Sequence, residues 1–145
     1  MPSKPKRIAI VVSDFNDEIT GRMEAVALQA ARRMGAKVAK VVHVPGAYDI
    51  PIMASALAGR KDIDAVACLG AVVKGETKHD ELICHACAHA LTRISLKTGK
   101  PVALGVIGPG VTHPQAVSRA DGYARRAVEG AIRLLDALDE AKKRD

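Results

Sequence analysis

Aromatic residues are nearly absent from the 145-residue chain: it holds no tryptophan, two tyrosines and a single phenylalanine. Platforms on which successive bases could stack are therefore missing. The formal net charge is +6, but the basic residues are spread along the chain rather than gathered in a stripe. Nucleic acid is thus excluded as the expected partner, and small phosphorylated substrates fit better. Cysteine is scarce too, and three cannot all pair, so no disulfide framework is expected. Long apolar runs are lacking as well. MPSKPKR leads into only IAIVV, too short for a signal peptide or a membrane span. A cytoplasmic, reducing setting without a membrane partner follows as the expectation. Neither GxGxxG nor GxxxxGKS/T occurs, which argues against a dinucleotide or a nucleoside triphosphate. The clusters KPKR and KKRD near the termini read as solvated ends.

What is present is a βα rhythm over one expected domain, residues 1–145, without repeat or linker. IAIVVS (8–13) reads as a buried strand. Ile19, Met23, Val26, Ala27, Ala30, Ala31 and Met34 then recur at helical spacing up to Gly35. KVAKVVHV is a second strand, a short helix follows over about 50–59, and DAVACLGAVV is a third strand. HDELICHACAHALTRISLK is a long helix stopped by Gly99, and PVALGVI is a fourth strand. The tail from Pro114 to Ala141 is helical, with a break expected at Asp121-Gly122. Alternating parallel strands and helices predict a three-layer α/β/α sandwich of flavodoxin-like type around a four-stranded parallel sheet.

Ligands in such folds bind beyond the carboxyl ends of the strands. Here the segments after the strands read DFNDEIT, VPGAYDIP, KGETKHDE and GPGVTHPQAVSRA. Thr77 followed by Asp80 resembles a capping box, so Thr77 is expected to cap the long helix and to leave N–H groups for an anion. Glu76 and Asp80, already at that positive end, count against one. His79 then falls in the first helical turn, where the dipole disfavours imidazolium and leaves a neutral ring able to take a proton. It reads equally as an exposed residue at a helix start. Phe15, just after the first strand, suits a flat ring ligand or a plug over the core. Arg119, on a short helix after GPGVTHP, can hold a phosphate through two parallel bonds.

Taken together, FND-IT (15–20), VPGAYDIP (44–51), LGAVVKGETKHDE (69–81), PV-LG (101–105) and QA-SRA (115–120) resemble the 6,7-dimethyl-8-ribityllumazine synthase family, in its archaeal branch. The resemblance covers nearly the whole chain. It implies condensation of 5-amino-6-(D-ribitylamino)uracil with 3,4-dihydroxy-2-butanone 4-phosphate in riboflavin biosynthesis, with release of phosphate and water and without metal or organic cofactor. By motif, Phe15 would stack on the pyrimidine. The Ala47-Tyr48-Asp49 loop and the Ala71-Val72-Val73 strand end would hold its polar edges and ribityl chain. Asp49 stands where many members have the longer glutamate. Glu76 and Thr77 match the turn that meets the butanone phosphate, His79 the proton-transfer histidine, and Arg119 a phosphate arginine supplied by a neighbouring subunit. Bacterial members often have alanine at Glu76, so backbone N–H groups and the Thr77 hydroxyl are the expected phosphate contacts. Leu104 stands where phenylalanine is frequent, which leaves Phe15 as the stacking partner. The resemblance also implies a homopentamer. SRADGYARRA is too short for the insert that accompanies lone pentamers, so a 60-subunit shell of twelve pentamers is expected, with Asp121-Gly122 at a bend.

Two other readings stay open. The archaeal-type riboflavin synthase looks related in fold and shares the VPG motif, but it consumes lumazine; the intact GETKHDE turn and SRA arginine favour the lumazine-forming enzyme. Cys84 and Cys87 form CxxC close to His79, His85 and His89, which invites a metal-binding or redox module. Helical spacing places Ile83, Cys87, Ala90, Leu91 and Ile94 on one stripe and Glu81, His85, His89 and Arg93 on another, so the cysteines are expected in the core and no metal site is assigned.

Overall fold

In a computed structural model, residues 4–144 are described. They form β1 (Arg7–Ser13), α1 (Asp17–Arg33), β2 (Lys37–Val44), α2 (Ile50–Ala58), β3 (Ala65–Val73), α3 (His79–Thr98), β4 (Val102–Val111) and α4 (His113–Lys142), with a 3-10 turn at Ala47–Asp49 before α2. All strand pairs are parallel, in the order β2-β1-β3-β4. The expected flavodoxin-like sandwich around four parallel strands is therefore the observed fold.

The apolar runs explain this order. In β1, Ile8, Ile10 and Val12 join one core with Ile19 and Met23 of α1 and Val128 and Ile132 of α4. Ala9 and Val11 join the other, with Ile50 and Leu57 of α2 and Cys87 and Leu91 of α3. A strand buried on both faces reads as continuous apolar sequence, and β1 and β3 occupy the centre. β2, whose sequence mixes lysine with valine, lies half exposed at an edge. Alanines at 27, 30 and 31 of α1 and 120, 124 and 127 of α4 keep side chains short where these helices pack over the sheet. At Gly105 a Cβ would lie 2.7 Å from the Cys68 carbonyl oxygen and 2.9 Å from the Ala127 Cβ, so only glycine lets α4 approach β4 there.

Three expectations are corrected. α4 is a single 30-residue helix, without a break at Asp121-Gly122, and Arg119 stands on this helix rather than on a short one. Gly122 lies in its interior, with the Arg126 side chain folded back over that backbone, 2.9 Å from where a Cβ would be, and over the Tyr123 ring. β4 continues past Ile107 to Val111. The ladder to β3 shifts register between Ala71 and Val73, and Gly108 and Gly110 take positive φ, 119° and 79°, to absorb the irregularity. The KPKR end is not simply solvated: Lys6 bridges to Asp136 and Asp139, and Arg7 to Asp64. In KKRD, Lys143 pairs with Glu140, while Asp145 lies outside the described residues. No helix among the described residues is long and apolar enough to cross a membrane.

Candidate active site

The turns after β1, β2 and β3 converge at the carboxyl rim of the sheet. The Asp14 N–H donates to the Val44 carbonyl and the Phe15 N–H to the Pro45 carbonyl, so the first two turns run side by side. Asn16 takes a left-handed conformation, φ 63°, which asparagine tolerates better than bulkier residues. Its side-chain amide donates to the Ala71 carbonyl at 2.9 Å, fastening the first turn to the end of β3. In the second turn the Gly46 N–H donates to the Asp49 carboxylate at 3.0 Å. One Asp49 oxygen is thus committed to its own loop.

Between these turns lies a cavity of about 590 Å³. Phe15, Ala47, Tyr48, Asp49, Ala71, Val72, Val73, Thr77 and His79 line it. Phe15 and Tyr48 are 73% and 67% exposed, so neither ring plugs the core and both have faces free for a ligand. The structure brings together these nine sequence-predicted residues, and it does not bring in the other three. Glu76 projects from the exposed turn between Gly75 and Thr77, which do line the cavity. Leu104 lies in a separate groove between β4 and α4 with Tyr123 and Arg126. Arg119 is exposed on α4 and touches neither.

The helix cap differs from expectation. Lys78, not Thr77, is the N-cap of α3 and makes no side-chain capping bond; the Thr77 hydroxyl accepts only a long 3.4 Å contact from the His79 N–H. Asp80 does not complete a box. It is 7% exposed, lines the cavity, and its carboxylate accepts from the Gly110 N–H at 2.9 Å, tying the start of α3 to β4. A reciprocal box does occur at α4, where Thr112 and Gln115 exchange bonds. Sequence reasoning also missed Asn16, Pro45, Gly46, Gly75 and Ile83 as lining residues. The signal for Asn16 was its place in FND, where asparagine precedes a helix start; Ile83 gave none, being one more apolar residue on a helical stripe.

The thiols sit elsewhere. Cys68, Cys84 and Cys87 are free and buried against the α2–α3 side of the sheet, whereas His85 and His89 are exposed. Burial pushes the Cys84 and Cys87 thiols up to about 11 and Cys68 higher still, which suppresses the thiolate that redox or metal chemistry needs. Among the described residues no group of three or more His, Cys, Asp or Glu is placed to hold a metal ion. The CxxC reading is therefore not favoured.

A doubly covered parallel sheet, with its cavity at the carboxyl rim under an exposed aromatic and a helix-start histidine, defines a flavodoxin-like α/β enzyme. Residues 5–139 match the family model of 6,7-dimethyl-8-ribityllumazine synthase, and the chain belongs to that family. It is accordingly a transferase of riboflavin biosynthesis. It is 52% identical to the 6,7-dimethyl-8-ribityllumazine synthase of Aeropyrum pernix over 129 residues, 88% of each chain. It is 49% identical to that of Pyrobaculum arsenaticum over 139 residues, 94% of this chain and 93% of the relative. With the Sulfolobus acidocaldarius enzyme it shares 48% over 138 residues, 95% and 87% of the two chains.

Proposed function

We propose that the rim cavity condenses 5-amino-6-(D-ribitylamino)uracil with 3,4-dihydroxy-2-butanone 4-phosphate, with residues 1–145 acting as one domain in the cytoplasm. The observation that carries this reading is that Thr77 and His79 line one cavity together with Phe15. The pyrimidine stacks on Phe15, and its polar edges meet the backbone of Ala47, Tyr48 and Asp49 and of Ala71, Val72 and Val73. Because one Asp49 oxygen is held by Gly46, the other is left for the ribityl hydroxyls. Backbone N–H groups of the Gly75–Thr77 turn and the Thr77 hydroxyl receive the phosphate, with the Glu76 carboxylate turned to solvent.

The amine of the pyrimidine attacks the butanone carbonyl, and water leaves as the imine forms. Loss of the proton from the hydroxyl-bearing carbon then expels inorganic phosphate and leaves an enol, which takes a proton at its terminal carbon and becomes a second carbonyl. Attack there by the ribitylamino nitrogen closes the ring with loss of another water. His79 accepts and returns the protons in these steps, which need proton transfer and phosphate neutralisation only. Arg119 and Leu104 lie outside the cavity of their own chain, which supports their entry into a neighbour's site in a homopentamer, Arg119 on the phosphate and Leu104 against the ring. The short SRADGYARRA stretch, with no room for an insert, supports closure of twelve pentamers into a 60-subunit shell, while α4 runs through Asp121-Gly122 without the bend expected of that shell.

Incubation with both substrates, followed by lumazine absorbance, tests the reaction. Formation of product that survives a chelator is expected, and consumption of lumazine instead overturns the reading. Mixing Phe15→Ala and Arg119→Ala subunits, each assayed at substrate concentrations below its raised KM where its own activity is low, tests the shared site. Mixed rings are expected to regain part of the activity, and no recovery despite subunit exchange places both residues in one chain's site. Light scattering tests the shell, which a particle of pentamer size refutes.

A further inference from the structure

We propose that His43 is a positioning residue for Phe15: its imidazolium clamps Asp14, the residue before Phe15, to the edge strand β2 and to helix α1. The proposal rests on Phe15 being the residue that stacks on the pyrimidine. His43 is the next-to-last residue of β2, opposite Val12 of β1. Its Nδ1 lies 2.7 Å from Asp14 Oδ1 and its Nε2 2.6 Å from Glu24 Oε1. A neutral ring has one N–H and one lone pair, so in this geometry it would turn a lone pair onto a carboxylate oxygen. Only the doubly protonated ring suits both neighbours.

The two contacts differ in kind. The Asp14 contact is an aligned hydrogen bond. The Glu24 contact is short but lacks that alignment, and Glu24 Oε1 is buried with no hydrogen-bond donor, so it depends on the charge of the ring. Asp14 from the rim turn and Glu24 from α1 are the charged groups that face the imidazole; its β1 partner Val12 is apolar. The Asp14 hydrogen bond, with the Glu24 charge and against a desolvation penalty, raises the His43 pKa above its ordinary 6.5.

Phe15 has little packing of its own to fix its ring, being 73% exposed, so its direction depends on the backbone of Asp14 to Asn16. That backbone is held by the Asp14 and Phe15 N–H bonds to Val44 and Pro45 and by the Asn16 side chain on Ala71. Among the described residues, His43 is the only side chain that anchors the Asp14 carboxylate. With a raised folded-state pKa, the clamp is complete below about pH 6.5 and is lost as pH rises through the folded value. Its loss loosens Phe15 and weakens pyrimidine binding, while His79, on another element, keeps its proton-transfer geometry.

Steady-state kinetics with the pyrimidine varied, between about pH 6 and 9, test this on the wild-type protein and on His43→Gln, His43→Lys, Asp14→Asn, Phe15→Ala and the double variant of His43→Gln with Asp14→Asn. The expected result is a KM raised about two- to tenfold in His43→Gln at pH 6, with kcat little changed. Wild-type KM climbs toward alkaline pH, that climb is absent in His43→Gln, and His43→Lys, which keeps a cation, defers it. The double variant is no worse than either single variant. Should His43→Gln fail to fold, Asp14→Asn, altered only at a loop carboxylate, carries the same expectation. Phe15→Ala raising KM while His43→Gln and Asp14→Asn leave it unchanged overturns the clamp but spares the stacking role. An alkaline rise in KM that persists in His43→Gln also overturns it. An unchanged KM in Phe15→Ala overturns the stacking role and the clamp with it.

Discussion

At the amino ends of the strands, Arg7 donates through its guanidinium to both oxygens of Asp64 and to the Lys61 carbonyl, Lys6 bridges Asp136 and Asp139, and the Lys100 ammonium donates to the Arg60 carbonyl. At the carboxyl rim, Phe15, Tyr48 and Arg119 stand exposed, and among the described residues the side chains of His79 and Arg119 have no hydrogen-bonded or ionic partner. Both ends are polar and carry basic side chains, yet the amino end spends Lys6, Arg7 and Lys100 on its own carboxylates and carbonyls, whereas the rim, where His43 and His113 are paired, leaves His79 and Arg119 free. Composition alone does not separate the two. A cation already met by a carboxylate contributes to the fold, whereas one without a partner beside an open cavity is available to a ligand.

The largest expected effect that could break this contrast belongs to His79. His79→Ala is expected to lower kcat by about 100-fold, the low end of general acid-base effects, because substrate phosphate can itself move protons. An unchanged kcat across the pH range would reduce His79 to an exposed helix-start residue. Next comes Arg119→Ala, expected to raise the KM for the butanone phosphate by about 10- to 100-fold, the equivalent of charge-assisted bonds to phosphate, with Arg119→Lys recovering only part. Equal KM values for wild type and Arg119→Ala would return this arginine to the solvated surface. Phe15→Ala is expected to raise the pyrimidine KM about tenfold at most, the scale of one aromatic stacking contact, and calorimetric titration with the pyrimidine checks it.

The smallest effect sharpens the comparison from the closed end. Asp64→Asn is expected to cost about 1 kcal/mol of stability at neutral pH and to leave kcat and both KM values unchanged. Burial pushes the Asp64 carboxyl up, but the Arg7 side chain and N–H more than offset it, so its pKa lies below the ordinary 3.8. Its contribution is therefore present above that value and is lost as pH falls through the folded value, so denaturant melts of the wild type and Asp64→Asn converge in strong acid. A change in either KM would show that the two ends are coupled.

The places where structure departed from expectation share a cause. Thr77-x-x-Asp80 and Thr112-x-x-Gln115 present the same local pattern, but the first is not a cap because the Gly110 N–H, 30 residues away, claims the Asp80 carboxylate. Gly122 carries a helix penalty of about 1 kcal/mol relative to alanine, yet α4 passes through it because Ala120, Ala124 and Ala127 on either side are buried in the α1–α4 core. β4 outran its apolar run because Lys74 and Val111 still pair beyond the Gly-Pro-Gly irregularity. In each case a contact distant in sequence outweighed a local preference of comparable size.

Features carried by short-range periodicity were legible in the chain itself. The unbroken apolar runs of β1 and β3 specify strands covered on both faces, and the helical stripes between them specify which helix sides meet the sheet. The ordered rim motifs marked Phe15, Thr77 and His79 before any geometry was known. Which turns close on one cavity was decided only by tertiary structure, as were the retreat of one Asp49 oxygen to Gly46, the separation of Leu104 and Arg119 from their own chain's cavity, and the meeting of His43 with Asp14 and Glu24. Apolar burial repeats along the chain at the period of its elements and can be read from one segment. The partner of a polar group is a single atom whose position depends on the packing of the other elements.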